Sequence, residues 1–456
     1  MKLAIIGAAG LRTPLIVQAI LKRQERLELD ELALMDIDGE RLDLIGALTA
    51  PLEESPETKF HIQRTTDPIA ALRGADFVIT IFRVGGIESR AIDERVPLDH
   101  GILGQETTGP GGFAMGVRSI PVIIDYVEKM KQVCPHAWLI NFANPAGMLT
   151  EAVVRHSGWS RVVGICDGPA SMQRVIAAIL GGTTEDVFLD YFGLNHLGWI
   201  RRIMYHDQDR LPGMLEQIKL AGLVPGLPFE AELVSNLGML PNEYLYYYYY
   251  NTQAVKNILS AGVSRGEQIA RLNLALFAEL RQKYAAGDLS TMQTAYKSYM
   301  NERGNTYMVS ETGANHPQLM LEALGGETEP DEGYAGVALN LIEALRGDRS
   351  LVQILNVPNH GSIVGMEELD VVEIPAVVRN DQVQALPVGN VPDHCLGLMK
   401  EVKYYEHLTI EAAIGKSYHK ALLALTIHPL VRDFTIARSI LDEYRSLHKG
   451  YFPILQ

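Results

Sequence analysis

The sequence lacks the features that mark several protein classes. It has only three cysteines, Cys134, Cys166 and Cys395, too far apart to form a disulfide framework, and reduced thiols of a cytoplasmic protein are expected. Basic residues are in deficit: 40 Lys and Arg stand against 55 Asp and Glu, a net charge of −15. Such a surface repels phosphate backbones, so no nucleic-acid partner is expected, although a few local arginines could still hold a small phosphorylated metabolite. No apolar run approaches the roughly 20 residues that span a bilayer, so no membrane partner is expected either. The run in Met1-Lys-Leu-Ala-Ile-Ile-Gly7 is too short for a signal-peptide core, leads into a glycine turn, and reads as a first strand. Proline and glycine, 22 and 41 in 456 residues, show no excess that would indicate disorder or a fibre.

What is present is an alternation of short β-branched runs with helical segments, the pattern of a parallel sheet with crossover helices. Strands are predicted at Leu3 to Ile6, Glu31 to Met35, Phe60 to Thr65, Phe77 to Phe82, Trp138 to Phe142 and Arg161 to Ile165. Their continuous apolar character predicts burial on both faces. Helices are predicted at Pro14 to Arg26, Arg118 to Val133, Gly147 to His156 and Ser171 to Leu180. After Val187 two adjacent strands replace the βα rhythm, and a boundary is placed near residue 195. The expected organisation is a nucleotide-binding α/β domain over 1–195 and a largely helical α+β domain over 196–456. The second has periodic segments at Ser264 to Ala285, Gly336 to Leu345 and His407 to Ala424, and a strand-like stretch at Val371 to Val378.

The turn Gly7-Ala-Ala-Gly-Leu-Arg-Thr13 follows a strand and precedes a helix opened by Pro14. Helix N-terminal amides can face a pyrophosphate, which makes Gly7, Gly10 and Thr13 candidate cofactor contacts. Ala9 departs from the usual glycine spacing. Asp36 ends the second strand, where a carboxylate can accept from ribose hydroxyls and favour NAD over its 2′-phosphorylated form, or can simply cap the next helix.

Five polar segments lie where strands end, the place where open α/β sheets bind ligands. They contain Arg83, Gly104 to Gly112, Asn144, Cys166-Asp167 and Asn195-His196. Taken singly, Cys166 reads as a small buried hydrophobe and His196 as a structural histidine. Together they end strand-like runs one crossover apart. A thiolate and an imidazole are credible ligands of a divalent cation, with positions left open for substrate oxygens.

These segments, together with Asn356-Val-Pro-Asn-His-Gly-Ser-Ile363 and Leu408-Thr-Ile-Glu-Ala-Ala413, occur in the order found in glycoside hydrolase family 4, which the chain resembles over nearly its whole length. The resemblance implies an N-terminal domain of the lactate dehydrogenase-like, doubly wound type, and an NAD- and divalent-metal-dependent glycosidase. Its implied chemistry is oxidation of the sugar C3 hydroxyl, removal of the C2 proton, elimination of the aglycone, water addition and return of the hydride. Cys166 and His196 then match metal ligands, with Mn²⁺ usual in the family, and Asn144 matches a contact to substrate hydroxyls. Asp167 matches an acid or hydroxyl-orienting position, and Tyr244 the base. Tyr244 opens a run with six tyrosines in seven positions, so the choice within Tyr244 to Tyr250 stays open. Arg83 and Arg265 are candidates for phosphate or substrate oxygens.

The segment patterns favour 6-phospho-β-glucosides, with 6-phospho-α-glucosides as the alternative, since Asp167 resembles the α type. A dehydrogenase of the 2-hydroxyacid type is the alternative of a different class. The family resemblance also implies a homodimer or homotetramer.

Overall fold

The structure, a computed structural model, describes residues 1–222, 224, 227–313, 333–347, 349–448 and 450–456. Two sheets organise the described residues. The first contains β1 (Lys2–Ile6), β2 (Glu31–Met35), β3 (His61–Thr65), β4 (Phe77–Thr80), β5 (Trp138–Asn141) and β6 (Val162–Gly164), all parallel, in the spatial order β3-β2-β1-β4-β5-β6. This is the doubly wound order with a topological switch point between β1 and β4. β1, β4 and β5 are apolar runs buried on both faces, as strands sandwiched between helix layers must be.

The crossovers are α1 (Thr13–Leu27), α2 (Gly39–Glu53), α3 (Pro68–Leu72), α4 (Gly86–Asp99), α5 (Pro110–Val133) and α6 (Ala146–His156), and α7 (Asp167–Leu180) leads from β6 to the second sheet. The second sheet is antiparallel, built from β7 (Val187–Leu194), β8 (Leu197–Tyr205), β9 (Gln208–Asp209) and β10 (Leu240–Pro241). Three later strands, β11 (Leu351–Pro358), β12 (Val371–Arg379) and β13 (Gln382–Ala385), return to the first sheet and extend it antiparallel beyond β6. No described helix is long and apolar enough to cross a membrane.

Several expectations shift. Residue 195 falls in the β7–β8 hairpin turn, and β11–β13 complete the first sheet, so the two sheets do not separate there. The antiparallel sheet begins at Val187. α5 starts at Pro110 rather than Arg118, because Gly111 and Gly112 press directly against the carbonyls of Gln105 and Thr107, leaving no room for a Cβ. A glycine pair that read as a loop is instead a close approach at a helix start. The segment His407 to Ala424 spans two helices, Asp393–Gly415 and Tyr418–Ile427, broken where Lys416 adopts φ 52° and Ser417 caps the second.

Candidate active site

The strand register places the site. Ile6 pairs with Met35 and Thr80, Thr80 with Asn141, and Asn141 with Gly164. The carboxyl ends of five strands are therefore level, and Gly7, Asp36, Arg83, Asn144 and Cys166 emerge along one edge. They line a single cleft of about 1460 Å³.

At one end, Gly7 adopts φ 97°, and a Cβ there would overlap the backbone of Phe82, so glycine is required. Asp36 accepts the amides of Ala9 (3.0 Å) and Asp38 (3.1 Å). The cap of α2 is Asp38, which accepts from the Arg41 amide. Asp36 thus joins the glycine turn to the end of β2 and does not act as a helix cap. Thr13 is a correction: its side chain is fully buried, its amide is spent on the Gly10 carbonyl, and it does not line the cleft.

At the other end, Cys166 Sγ lies 3.4 Å from His196 Nε2. Cys166 sits just before α7, and His196 occupies the two-residue β7–β8 turn with φ 63°, a conformation that costs a non-glycine residue energy. The turn is held from behind. Glu373 of β12 accepts from Tyr191 Oη (2.8 Å), Asn195 Nδ2 (3.1 Å) and Asn356 Nδ2 (3.0 Å), and burial lifts its carboxyl to about 6 against those hydrogen bonds. Thr107 Oγ1 meets His196 Nδ1 at 2.8 Å, leaving Nε2 facing the thiol. Burial pulls the imidazole down to about 4, keeping it neutral as a ligand must be. Burial, with Glu373 and Asp167 nearby, pushes the Cys166 thiol well above its usual range. A buried thiol beside a neutral imidazole and acidic groups is a donor set short of positive charge, which fits a divalent cation.

The His196 ring stacks on Tyr244, with centroids 3.8 Å apart and planes 6° from parallel. Of the tyrosine run, Tyr244 and Tyr247 line the cleft and the others do not. Arg12 of the glycine turn pairs with Asp167 at 3.7 Å, so the two ends of the cleft adjoin. Arg83 and Arg90 both bind Glu106, at 2.7 and 2.9 Å. Although burial opposes it, these two guanidinium groups hold the Glu106 carboxyl down at about 2. Arg265 donates to Thr306 Oγ1 and the Arg303 carbonyl. Burial, with Arg90 and Arg303 beside Arg265 and with Arg12 and Arg90 beside Arg303, lowers the proton affinity of both guanidinium groups, so a bound anion would favour their charged forms.

The sequence reading missed Thr107, Arg90, Glu106, Arg303 and Glu311. Glu311 lines the cleft with burial lifting it to about 7. Thr107 and Glu106 lie in the glycine-rich segment already singled out, and Arg303 lies in Asn301-Glu-Arg-Gly-Asn-Thr-Tyr307, which loosely resembles an Arg-Gly segment of the family's β type, but nothing in one sequence distinguishes Arg90 and Glu311 from surface charges. A separate buried cluster, Glu151, Asp370 and His407, has a metal-like donor set. Its oxygens are already taken by Lys403 Nζ at 2.7 Å from Glu151 and by Arg155 at 2.9 Å from both carboxylates, so it is an internal ion network.

The fold and cleft define a class: a doubly wound sheet of the nucleotide-binding type with a close Cys166–His196 pair in the cleft at its carboxyl edge. The family profile described as family 4 glycosyl hydrolase matches residues 2–182, and the profile of that family's C-terminal domain matches 191–431. The chain is 33% identical to a probable 6-phospho-β-glucosidase of Bacillus subtilis over 99% of its own length and 97% of the relative's. It superposes with a TM-score of 0.81 and 28% identity, covering both chains fully, on the Thermotoga maritima 6-phospho-β-glucosidase solved with manganese, NAD⁺ and glucose-6-phosphate. A 6-phospho-α-glucosidase from gut microorganisms, solved with NAD and Mn²⁺, gives a TM-score of 0.82 at 28% identity over 100% of this chain and 99% of that one. The chain belongs to glycosyl hydrolase family 4.

Proposed function

We propose that this enzyme hydrolyses 6-phospho-β-glucosides with NAD and a divalent cation, Mn²⁺ first among candidates. The observation that carries the reading is the 3.4 Å Cys166–His196 pair in the same cleft as the Gly7 turn and Asp36. When bound, the nicotinamide would supply a reversible hydride acceptor for the C3 hydroxyl, and the cation positive charge beside the C2 and C3 oxygens.

The chain's own residues do the rest. Gly7 and Gly10 allow close approach of the dinucleotide, Asp36 accepts from its ribose, and Cys166 and His196 hold the cation. Tyr244 takes the C2 proton. As the site stands, burial, then Glu243 and Cys166, push its phenol well above the ordinary value, so positive charge at the adjacent pair is what its ionised form requires. Asn144 binds sugar hydroxyls, Arg83, Arg265 and Arg303 receive the 6-phosphate, and Asp167, half-exposed at the first turn of α7, orients or protonates a substrate oxygen.

The β choice rests on the Bacillus and Thermotoga relatives. The α alternative draws on Asp167 and on the gut 6-phospho-α-glucosidase. Unpaired, buried cysteines support cytoplasmic placement, and a homodimer or homotetramer follows the family resemblance. The test offers p-nitrophenyl α- and β-glucosides, with and without a 6-phosphate, in the presence of NAD⁺ and Mn²⁺. Cleavage of the phosphorylated β-glucoside that stops on chelation is expected. Cleavage without any need for NAD⁺ would overturn the mechanism, and turnover of a hydroxyacid in chelator would point to the dehydrogenase.

A further inference from the structure

Glu311 belongs to the short helix Val309–Thr312 in the cleft wall, where Asn257 Nδ2 donates to its backbone carbonyl at 2.9 Å. Its side chain is 5% exposed, and among the described residues Oε2 has no hydrogen-bond partner. Arg265, 7% exposed, lines the same cleft. Its guanidinium donates to Gln268 Oε1 (3.1 Å), Thr306 Oγ1 and the Arg303 carbonyl, all neutral oxygens, and it forms no salt bridge with a described carboxylate. Glu311 favours the charged form of Arg265 through space, and Arg265 and Arg90 favour the ionised form of Glu311. Two buried groups of opposite charge thus share one cleft without closing an ion pair, which leaves Arg265 short of a bonded anion.

We propose that Glu311 is a stand-in for the substrate's phosphate: before substrate binds, its carboxylate balances Arg265 and Arg90, and a phosphate ester settling on the arginines takes over that charge and drives a proton onto Glu311. The proposal rests on the phosphate site assigned above. Burial already lifts the Glu311 carboxyl to about 7, Glu94 adding to the rise while its own backbone amide, Arg265 and Arg90 oppose it. A phosphate ester loses its second proton near pH 6, at a pKa of about 6, so above neutrality it arrives as a dianion and lifts Glu311 further. One proton leaves the buffer and bonds to a carboxylate oxygen. The other titratable groups facing Glu311 do not take its place: Tyr246 and Tyr247 are raised by burial and stay protonated, and Glu94 is tied to Arg90 at 2.8 Å. Phosphate binding is therefore strongest near neutral pH and weaker above it, where Glu311 must first be neutralised.

The experiment titrates glucose 6-phosphate into the full-length enzyme with NAD⁺ and Mn²⁺ by calorimetry at pH 8, in Tris and in HEPES, whose different ionisation heats report the protons taken up. Wild type should take up about one proton, and its Kd should rise about tenfold between pH 7.5 and pH 8.5, as linkage of one proton requires. Glu311→Gln should take up none, show a flat Kd, and bind about tenfold tighter than wild type at pH 8.5, a gain that loss of a merely structural carboxylate would not produce. Glu311→Ala should also lose the uptake, so one misfolded variant does not decide the matter. Wild-type binding without uptake, or uptake that persists in either folded variant, would overturn the proposal. Failure of the wild type to bind glucose 6-phosphate would remove the phosphate site itself, a result distinct from binding without uptake.

Discussion

The imidazole of His196 lies flat against the phenol ring of Tyr244, 3.8 Å from centroid to centroid. One of these residues is assigned to hold a cation and the other to move a proton, so charge placed on the first is felt at once by the second. Of the six tyrosines in that run, Tyr244 is the one whose ring stacks on His196.

Replacing Tyr244 with Phe should keep the stack and remove the proton acceptor. A fall in kcat of about 10²- to 10⁴-fold is expected, with KM little changed. Substrate deuterated at C2 should react more slowly with the wild type; undiminished kcat in the Phe variant would reassign the base.

Cys166→Ala or His196→Ala should lower Mn²⁺-dependent activity at least about 10²-fold, the scale of losing charge stabilisation at a developing anion. NAD⁺ binding, followed by calorimetry, should persist because the Gly7 turn is untouched. Joint loss of both would mark the pair as structural.

Asp36→Ala should weaken NAD⁺ about 10- to 100-fold, the worth of a hydrogen bond to a charged group. It also frees the Ala9 amide, so part of the loss should appear as a lower melting temperature without ligand.

The internal network around Glu151 predicts a pH profile for stability. Burial opposes charge on His407, but hydrogen bonds to Asp370 and Glu151 raise its folded value to about 9. Its contribution is therefore complete below the ordinary histidine range and is lost as pH rises through about 9. Burial likewise opposes charge on Glu151, but Lys403 and His407 lower its carboxyl to about 2. That contribution is present above the ordinary carboxylate range and is lost as pH falls through about 2. His407→Gln should depress the melting temperature at pH 6 far more than at pH 10. Lys403→Met, which strands two buried carboxylates, should cost about 3–5 kcal/mol in denaturant unfolding.

Glu373 sits outside the cleft yet anchors the turn that presents His196. Glu373→Leu orphans three donors, of which the two buried ones, on Tyr191 and Asn356, each cost about 1–3 kcal/mol. Metal affinity should fall about 10- to 100-fold, as for other outer-shell partners, while Glu373→Gln should retain part of it. Unchanged Mn²⁺ affinity in the Leu variant would show that the turn needs no such support.

Much of this was legible in the sequence for local reasons. Five of the six parallel strands are apolar runs bounded by turn residues, and such runs declare themselves wherever both faces are buried; the edge strand β3, His61–Thr65, is polar and largely exposed, against the expectation of burial on both faces. The Gly7 turn, Asp36, Cys166 and His196 were visible because strand ends are where an open sheet exposes chemistry. Helices with weak patterning, such as α4, and the strand β11 were not, because their faces are set by neighbours distant in the chain.

What the sequence determined by itself was the alternation of elements and the identity of residues at strand ends, both fixed by side-chain hydrophobicity and backbone preference. Only the tertiary structure decided that β11–β13 close the first sheet, that Glu373 reaches across to hold the His196 turn, that Thr13 is buried away from the cleft, and that Arg90, Arg265 and Arg303 converge. Those relationships join residues far apart in the chain, and they form only when packing has fixed the chain's path.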